Sequence, residues 1–139
     1  MIKKLGKEKD TIIIFFADHG TGVGERFGER NYGSFTYEET IRTFYYFWGK
    51  YIQENKICNK LKSTMDILPT VLDLCQIENN LELTGTSFAN YVTGLTTDII
   101  ENKYTFSETG ALHGPSPSPE VSNGFCIKTS NYKLIYNSS

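Results

Sequence analysis

The sequence predicts an α/β fold: part of a mixed, mainly parallel sheet with flanking helices, plus a small C-terminal antiparallel sheet. Three observations predict it. Thr11-Ile12-Ile13-Ile14-Phe15-Phe16-Ala17 is continuously apolar and rich in β-branched residues, the habit of a strand covered on both faces in a parallel sheet. Leu68, Val71, Leu72 and Cys75 recur at i, i+3, i+4 and i+7, which sets one apolar stripe along a helix. Gly124 to Thr129 and Tyr132 to Tyr136 alternate on either side of Ser130-Asn131, the pattern of a hairpin. Residues 1–100 are therefore expected to form the last part of an α/β core, and residues 101–139 a small antiparallel subdomain. One parallel-type strand is not a sheet, so its sister strands are expected in another chain or in sequence outside this one.

The remaining elements follow in order. Gly6-Lys7-Glu8-Lys9-Asp10 is polar and suits a helix end and a loop before the apolar strand. Five glycines between residues 20 and 34 predict a long loop directly after that strand. Tyr37 to Ile41 suits a short helical turn, and Thr43 to Trp48 a second, aromatic-rich strand. Ser63 or Thr64 can cap the clearest helix, with Pro69 in its first turn or two, where a missing N–H costs least. Gly85 and Gly94 bracket a second short helix, Ser87 to Thr93, and Tyr104 to Glu108 reads as a strand. Gly114 to Pro119 holds three prolines and predicts an exposed, extended loop.

Composition excludes several classes. The 139 residues are 39% hydrophobic, 14% aromatic and 22% charged, which is the balance of a globular chain. Fourteen basic against sixteen acidic residues give a net charge of −2, so no general positive field draws in nucleic acid. The longest apolar run, Ile12 to Ala17, is far short of the roughly 18 residues of a membrane span. Cys58, Cys75 and Cys126 form no C-x-x-C, so neither a zinc ribbon nor a redox motif is present, and all three read as small buried hydrophobes.

The chemistry concentrates where the first strand stops, at Asp18-His19-Gly20. In open α/β sheets ligands bind outside the carboxyl ends of the strands. Beyond the strand, adjacent side chains are no longer held to opposite faces, so a hard carboxylate and a borderline imidazole can converge on one cation. Gly20 leaves room for the backbone to turn away. Glu38 and Arg42, at i and i+4 on a helical turn, are expected to pair with each other. Asp66 and Asp73 are expected to cap or to face solvent, and Phe44 to Trp48 to pack a sheet.

The ordered motifs resemble the sulfatase family of the alkaline-phosphatase-like superfamily over nearly the whole chain. Ile12-Ile13-Ile14-Phe15-Phe16-Ala17-Asp18-His19-Gly20 is similar to that family's strand and D-H-G ligand motif. Leu5 to Thr11 precedes it as in the family, and Gly24-Glu25 resembles its L-G-E. Tyr37-Glu38-Glu39-Thr40-Ile41-Arg42 matches Y-E-E-x-x-R, and Ser63 to Leu74 is close to S-x-x-D-I-x-P-T-L-L-D-L. Gly85-Thr86-Ser87-Phe88 resembles G-x-S-L, and Tyr132-Lys133-Leu134-Ile135 the closing Y-K-L-I strand.

The resemblance implies a metal-dependent hydrolase of sulfate esters, small-molecule or glycan, with Asp18 and His19 as ligands of a divalent ion. Calcium is the common metal; phosphodiesterase-like relatives use zinc or manganese. The nucleophile implied is a formylglycine made within C/S-x-P/A-x-R, and the sequences after Cys58, Cys75 and Cys126 lack that pattern. The family places its nucleophile before the D-H-G strand. This chain is accordingly expected to be a C-terminal portion that is catalytically incomplete by itself. Where the family carries a substrate-binding Lys before Y-E-E, this chain has Asn31-Tyr32-Gly33-Ser34, leaving Arg26 or Arg30 to supply a cation for a tetrahedral oxyanion. His113, in Leu112-His113-Gly114, resembles the second-metal ligand of phosphodiesterase-type members. A phosphodiesterase, phosphatase or phosphoethanolamine-type transferase is thus the alternative enzyme, and a metal-free binding module the alternative without catalysis.

Overall fold

The computed structural model describes residues 2–25, 35–109 and 124–137. Within them lie β1 (Ile12–Phe16), α1 (Glu38–Ile41), β2 (Tyr45–Gly49), α2 (Ile67–Leu74), α3 (Ala89–Val92), β3 (Thr105–Thr109), β4 (Gly124–Lys128) and β5 (Lys133–Asn137). Short 3-10 turns cover Lys3–Leu5, Glu8–Asp10 and Thr64–Asp66. The chain divides into two compact units. One joins the N-terminal stretch through Phe15 to Tyr45–Asn102, and the other joins Phe16–Phe44 to the chain from Lys103 onward.

In the first unit β1 pairs with β2. The Gly49 backbone lies against Thr11 and Ile12, and the Phe15 ring is 6.4 Å from that of Tyr46. Strand ends therefore meet in opposite order, and the pair is antiparallel. The described residues form two small antiparallel sheets and no parallel pair, where the sequence predicts a mainly parallel one. Two-sided burial of β1 is not found either: Ile12, Ile13 and Ile14 are half-buried, while Phe15 and Phe16 are exposed. An unbroken apolar run signals what a strand can bury; it carries no information on the direction of its neighbour.

β2 starts two residues later than expected and alternates cleanly. Tyr45 and Phe47 face the Phe88 ring, stacked at 6.2 Å and edge-on at 5.7 Å, while Tyr46 and Trp48 are exposed. Phe88, Ala89 and Val92 form the apolar centre. α2 enters through the Thr64–Asp66 turn with Ser63 as its cap: Ser63 Oγ accepts from Met65 N–H, and Asp66 Oδ2 accepts from Ser63 N–H at 2.9 Å. This is a reciprocal capping box, with Asp66 in the place of the usual glutamate. The Pro69 expectation holds, since it stands in the first turn of α2.

The apolar stripe of α2 is covered only in part: Val71 and Leu72 are half-buried and Leu68 and Cys75 exposed, while Asp66 and Thr70 are 1% and 0% exposed. A buried carboxylate is tolerable only when hydrogen-bonded and paired, and Asp66 is both. Its Oδ1 accepts from Thr86 N–H at 2.7 Å, and its Oδ2 from Asn102 Nδ2 at 2.9 Å as well as from Ser63. Lys62 Nζ lies 3.8 Å from the same Oδ2 and has no hydrogen-bond partner among the described residues. Thr70 Oγ1 continues the knot, donating to the Asp66 carbonyl at 2.6 Å and accepting from Phe88 N–H at 3.1 Å. A Cβ on Gly85 would stand 2.0 Å from the Met65 carbonyl, so only glycine lets the 85–88 segment reach this carboxylate. Asp66 is thus a cap, as expected, but never a solvent-facing residue.

In the second unit β3, β4 and β5 form an antiparallel sheet in that order. Phe106 pairs with Ile127 and Ile127 with Leu134; Ser107 pairs with Cys126 and Cys126 with Ile135. Thr129 closes the hairpin, its N–H donating to the Tyr132 carbonyl at 2.8 Å and its Oγ1 accepting from Tyr132 N–H at 2.9 Å. Of the cysteines, Cys126 is buried at mid-strand as expected, whereas Cys58 and Cys75 are exposed. Cys75 caps the C-terminal end of α2 and Cys58 lies in the irregular segment between β2 and the Thr64–Asp66 turn.

Substituting Asp66→Asn leaves an amide N–H₂ facing donors and strips Lys62 of its counter-charge. A loss of about 3–5 kcal/mol is expected, the usual cost of removing one partner of a buried pair, read as a lowered urea midpoint. A change below about 1 kcal/mol would show that the carboxylate does not organise this unit.

Candidate metal centre

Asp18, His19 and Gly20 follow β1 directly. His19 N–H donates to Asp18 Oδ1 at 2.9 Å, which fixes the carboxylate against its own backbone. His19 Nδ1 lies 2.6 Å from the Gly20 carbonyl. A carbonyl oxygen only accepts, so Nδ1 carries the proton, and the lone pair of the neutral ring is on Nε2. Nε2 is 3.8 Å from Asp18 Oδ2. Donors bound at about 2.1–2.4 Å to one cation sit roughly 3–4 Å apart, so carboxylate and imidazole stand at the separation of two ligands of one ion. The Asp18 side chain is 84% exposed and that of His19 34%, which leaves the pair open on one side. A hard oxygen beside an imidazole nitrogen fits a divalent cation, and a backbone acceptor on the far ring nitrogen is the usual support of a metal-binding histidine.

Gly20 explains itself by contact. Its N–H donates to the Thr40 carbonyl at 2.6 Å, and a Cβ there would stand 2.1 Å from the Glu39 carbonyl. The ligand-bearing turn therefore lies directly on α1, backbone against backbone. α1 is held in turn through Glu38, whose Oε1 accepts from Lys128 Nζ at 2.5 Å and whose Oε2 accepts from Lys133 Nζ at 3.3 Å. Burial alone would raise the Glu38 carboxyl, but hydrogen bonding and charge from Lys128, then Lys133, outweigh it and hold the group below its ordinary value. The expected Glu38–Arg42 pairing is not what forms. Arg42 N–H does donate to the Glu38 carbonyl at 2.9 Å, but the carboxylate oxygens are taken by Lys128 and Lys133 instead of the Arg42 guanidinium.

Lys128 and Lys133 are the residues that sequence reasoning missed, although a signal existed. They flank the hairpin turn symmetrically and pair directly across β4 and β5. Like charges in that position repel unless an anion answers them. Arg26, Arg30 and His113 lie outside the described residues. Among the described residues no three His, Cys, Asp or Glu side chains gather at one point. Cys126 is buried in β4, where burial pushes its thiol up despite the nearby lysines, the opposite of an activated nucleophile.

The Sulfatase family model matches residues 1–77, so the chain belongs to the sulfatase family. The extracellular sulfatase SULF-1 homolog of Drosophila melanogaster is 31% identical over 86 residues, 62% of this chain and 8% of that protein. An endo-4-O-sulfatase of Bacteroides thetaiotaomicron is 33% identical over 91 residues, 63% of this chain and 18% of that one. Among solved structures, a Bacteroides thetaiotaomicron protein assigned as a sulfatase superposes with a TM-score of 0.71 at 26% identity, covering 93% of this chain and 27% of its own. A phosphonate monoester hydrolase of Silicibacter pomeroyi shares the fold, with a TM-score of 0.70 at 18% identity over 98% of this chain and 30% of its own. The chain thus spans less than a third of the length of each of these proteins.

Gly20→Ala forces a methyl group into the Glu39 carbonyl, which is backbone and cannot swing aside. Overpacking of this kind costs about 1–3 kcal/mol. The expected readout is faster hydrogen exchange at residue 20, whose amide loses the Thr40 carbonyl; unchanged protection would show that the contact is not formed in solution.

Proposed function

We propose that this chain carries the Asp18–His19 metal-ligand segment of a sulfatase-type hydrolase that cleaves sulfate esters of small molecules or glycans. The observation that carries the reading is the 3.8 Å approach of His19 Nε2 to Asp18 Oδ2 with Nδ1 tied to the Gly20 carbonyl. Family membership and the sulfatase names of both relatives support the sulfate ester as substrate class. The cation proposed is calcium, which suits the carboxylate best; zinc or manganese would accompany phosphoester chemistry instead. Such an ion, when bound, offsets negative charge building on the ester oxygens. The chain's own part is to present one carboxylate oxygen and one neutral imidazole nitrogen on the same side, with the ring held from rotating by Gly20.

The nucleophile and the remaining ligands are proposed to lie in other parts of a longer protein, of which this chain would be a C-terminal portion. The relatives' greater length supports this. In that protein β1, with its uncovered Phe15 and Phe16, would take its place in a larger, mainly parallel sheet.

The test is hydrolysis by the complete gene product of 4-nitrophenyl sulfate and a sulfated disaccharide, against a phosphonate monoester and a phosphodiester. Sulfate release is expected, falling about 10²–10³-fold in Asp18→Ala and His19→Ala, the usual loss when transition-state charge goes unanswered. Turnover of the phosphorus esters alone would replace the reading with its phosphoester relative. Turnover of none would leave a non-catalytic module.

A further inference from the structure

We infer that Lys128 and Lys133 of the C-terminal hairpin, acting through Glu38, are positioning residues for the Asp18–His19 pair. This rests on the metal-ligand reading above and goes beyond it. In the ligand turn Asp18 is largely exposed, and Gly20 is bound to α1 by the 2.6 Å bond to the Thr40 carbonyl. α1 is one turn long, too short to be stable by its own hydrogen bonds. Something must hold its carbonyls in place, and the Glu38 carboxylate does so by taking one ammonium on each oxygen.

Those ammonium groups come from a rigid source. Lys128 and Lys133 are directly paired on adjacent strands, and the hairpin between them is closed by Thr129 and Tyr132. Two like charges in that register repel, so each lysine gains from the carboxylate between them, and the three groups lock as a unit. The order of contact is then hairpin lysines, Glu38, the Thr40 carbonyl, Gly20, and finally the imidazole whose Nδ1 is bound to the Gly20 carbonyl. In this chain of contacts the three charged groups reach the ligand pair through α1.

The experiment uses the complete gene product, ¹⁵N-labelled, and Mn²⁺ as probe, read as paramagnetic broadening of the His19 and Gly20 amides. Removing a direct outer partner of a metal ligand costs about 10–100-fold in affinity, and a support one link further out should cost about fivefold. Glu38→Gln and the double variant K128M/K133M are each expected to need about five times more Mn²⁺ for half-broadening. K128R/K133R, which keeps both charges on Glu38, should titrate like the parent chain. K128M/K133M also removes the like-charge apposition, so the hairpin itself is not weakened, and unchanged β4 and β5 amide positions confirm that. Should the parent chain bind Mn²⁺ at residues 18–20 while Glu38→Gln and K128M/K133M titrate identically to it, the positioning role is overturned and the ligand reading stands. Absence of broadening at residues 18–20 in the parent chain would instead remove the ligand reading, and this inference with it.

Discussion

A single backbone contact organises the candidate site: the Gly20 N–H on the Thr40 carbonyl, at a distance only a residue without Cβ permits. Everything that makes Asp18 and His19 chemically interesting depends on it. The Gly20 carbonyl selects the imidazole tautomer, and that tautomer puts a lone pair on the nitrogen nearest the Asp18 carboxylate. Were the turn to lift off α1, both side chains would revert to a mobile, solvated pair with no common focus. The short tripeptide thus works as a unit in which the first two residues supply donors and the third supplies aim.

The same economy recurs at Asp66. A buried carboxylate is costly, and here it accepts from the adjacent Ser63 and from two distant residues, Thr86 and Asn102, while facing a buried ammonium. The reward is specificity of arrangement: the α2 entrance, the 85–88 segment and Asn102 all converge on one point. Glu38 plays the corresponding role in the second unit, where it joins α1 to the hairpin through two lysines. Each unit is therefore organised by one acidic side chain that accepts from residues remote in the chain.

That remoteness explains what the sequence makes legible and what it hides. The strand at Ile12–Phe16, the cap at Ser63, the turn at Glu38 and the C-terminal hairpin all follow from local pattern, and all are found within a residue or two of expectation. The Asp18–His19 pair was visible because it ends the most strand-like run. The antiparallel direction of β1 and β2 was not, since an apolar run records burial and is silent on partner direction. Nor was the buried face of α2, because pattern reading counts apolar residues, whereas here Asp66 and Thr70 go inside, satisfied by Thr86, Phe88 and Asn102. Glu38 was assigned to its helical neighbour for the same reason: its true partners lie 90 and 95 residues away.

One carboxylate and one imidazole are proposed to share a divalent cation. Metal content of the complete gene product, purified without chelator and measured by mass spectrometry against its Asp18→Ala and His19→Ala variants, tests it most directly. Stoichiometric calcium is expected in the parent protein, and its loss from both variants. Undiminished metal in either correctly folded variant would contradict it.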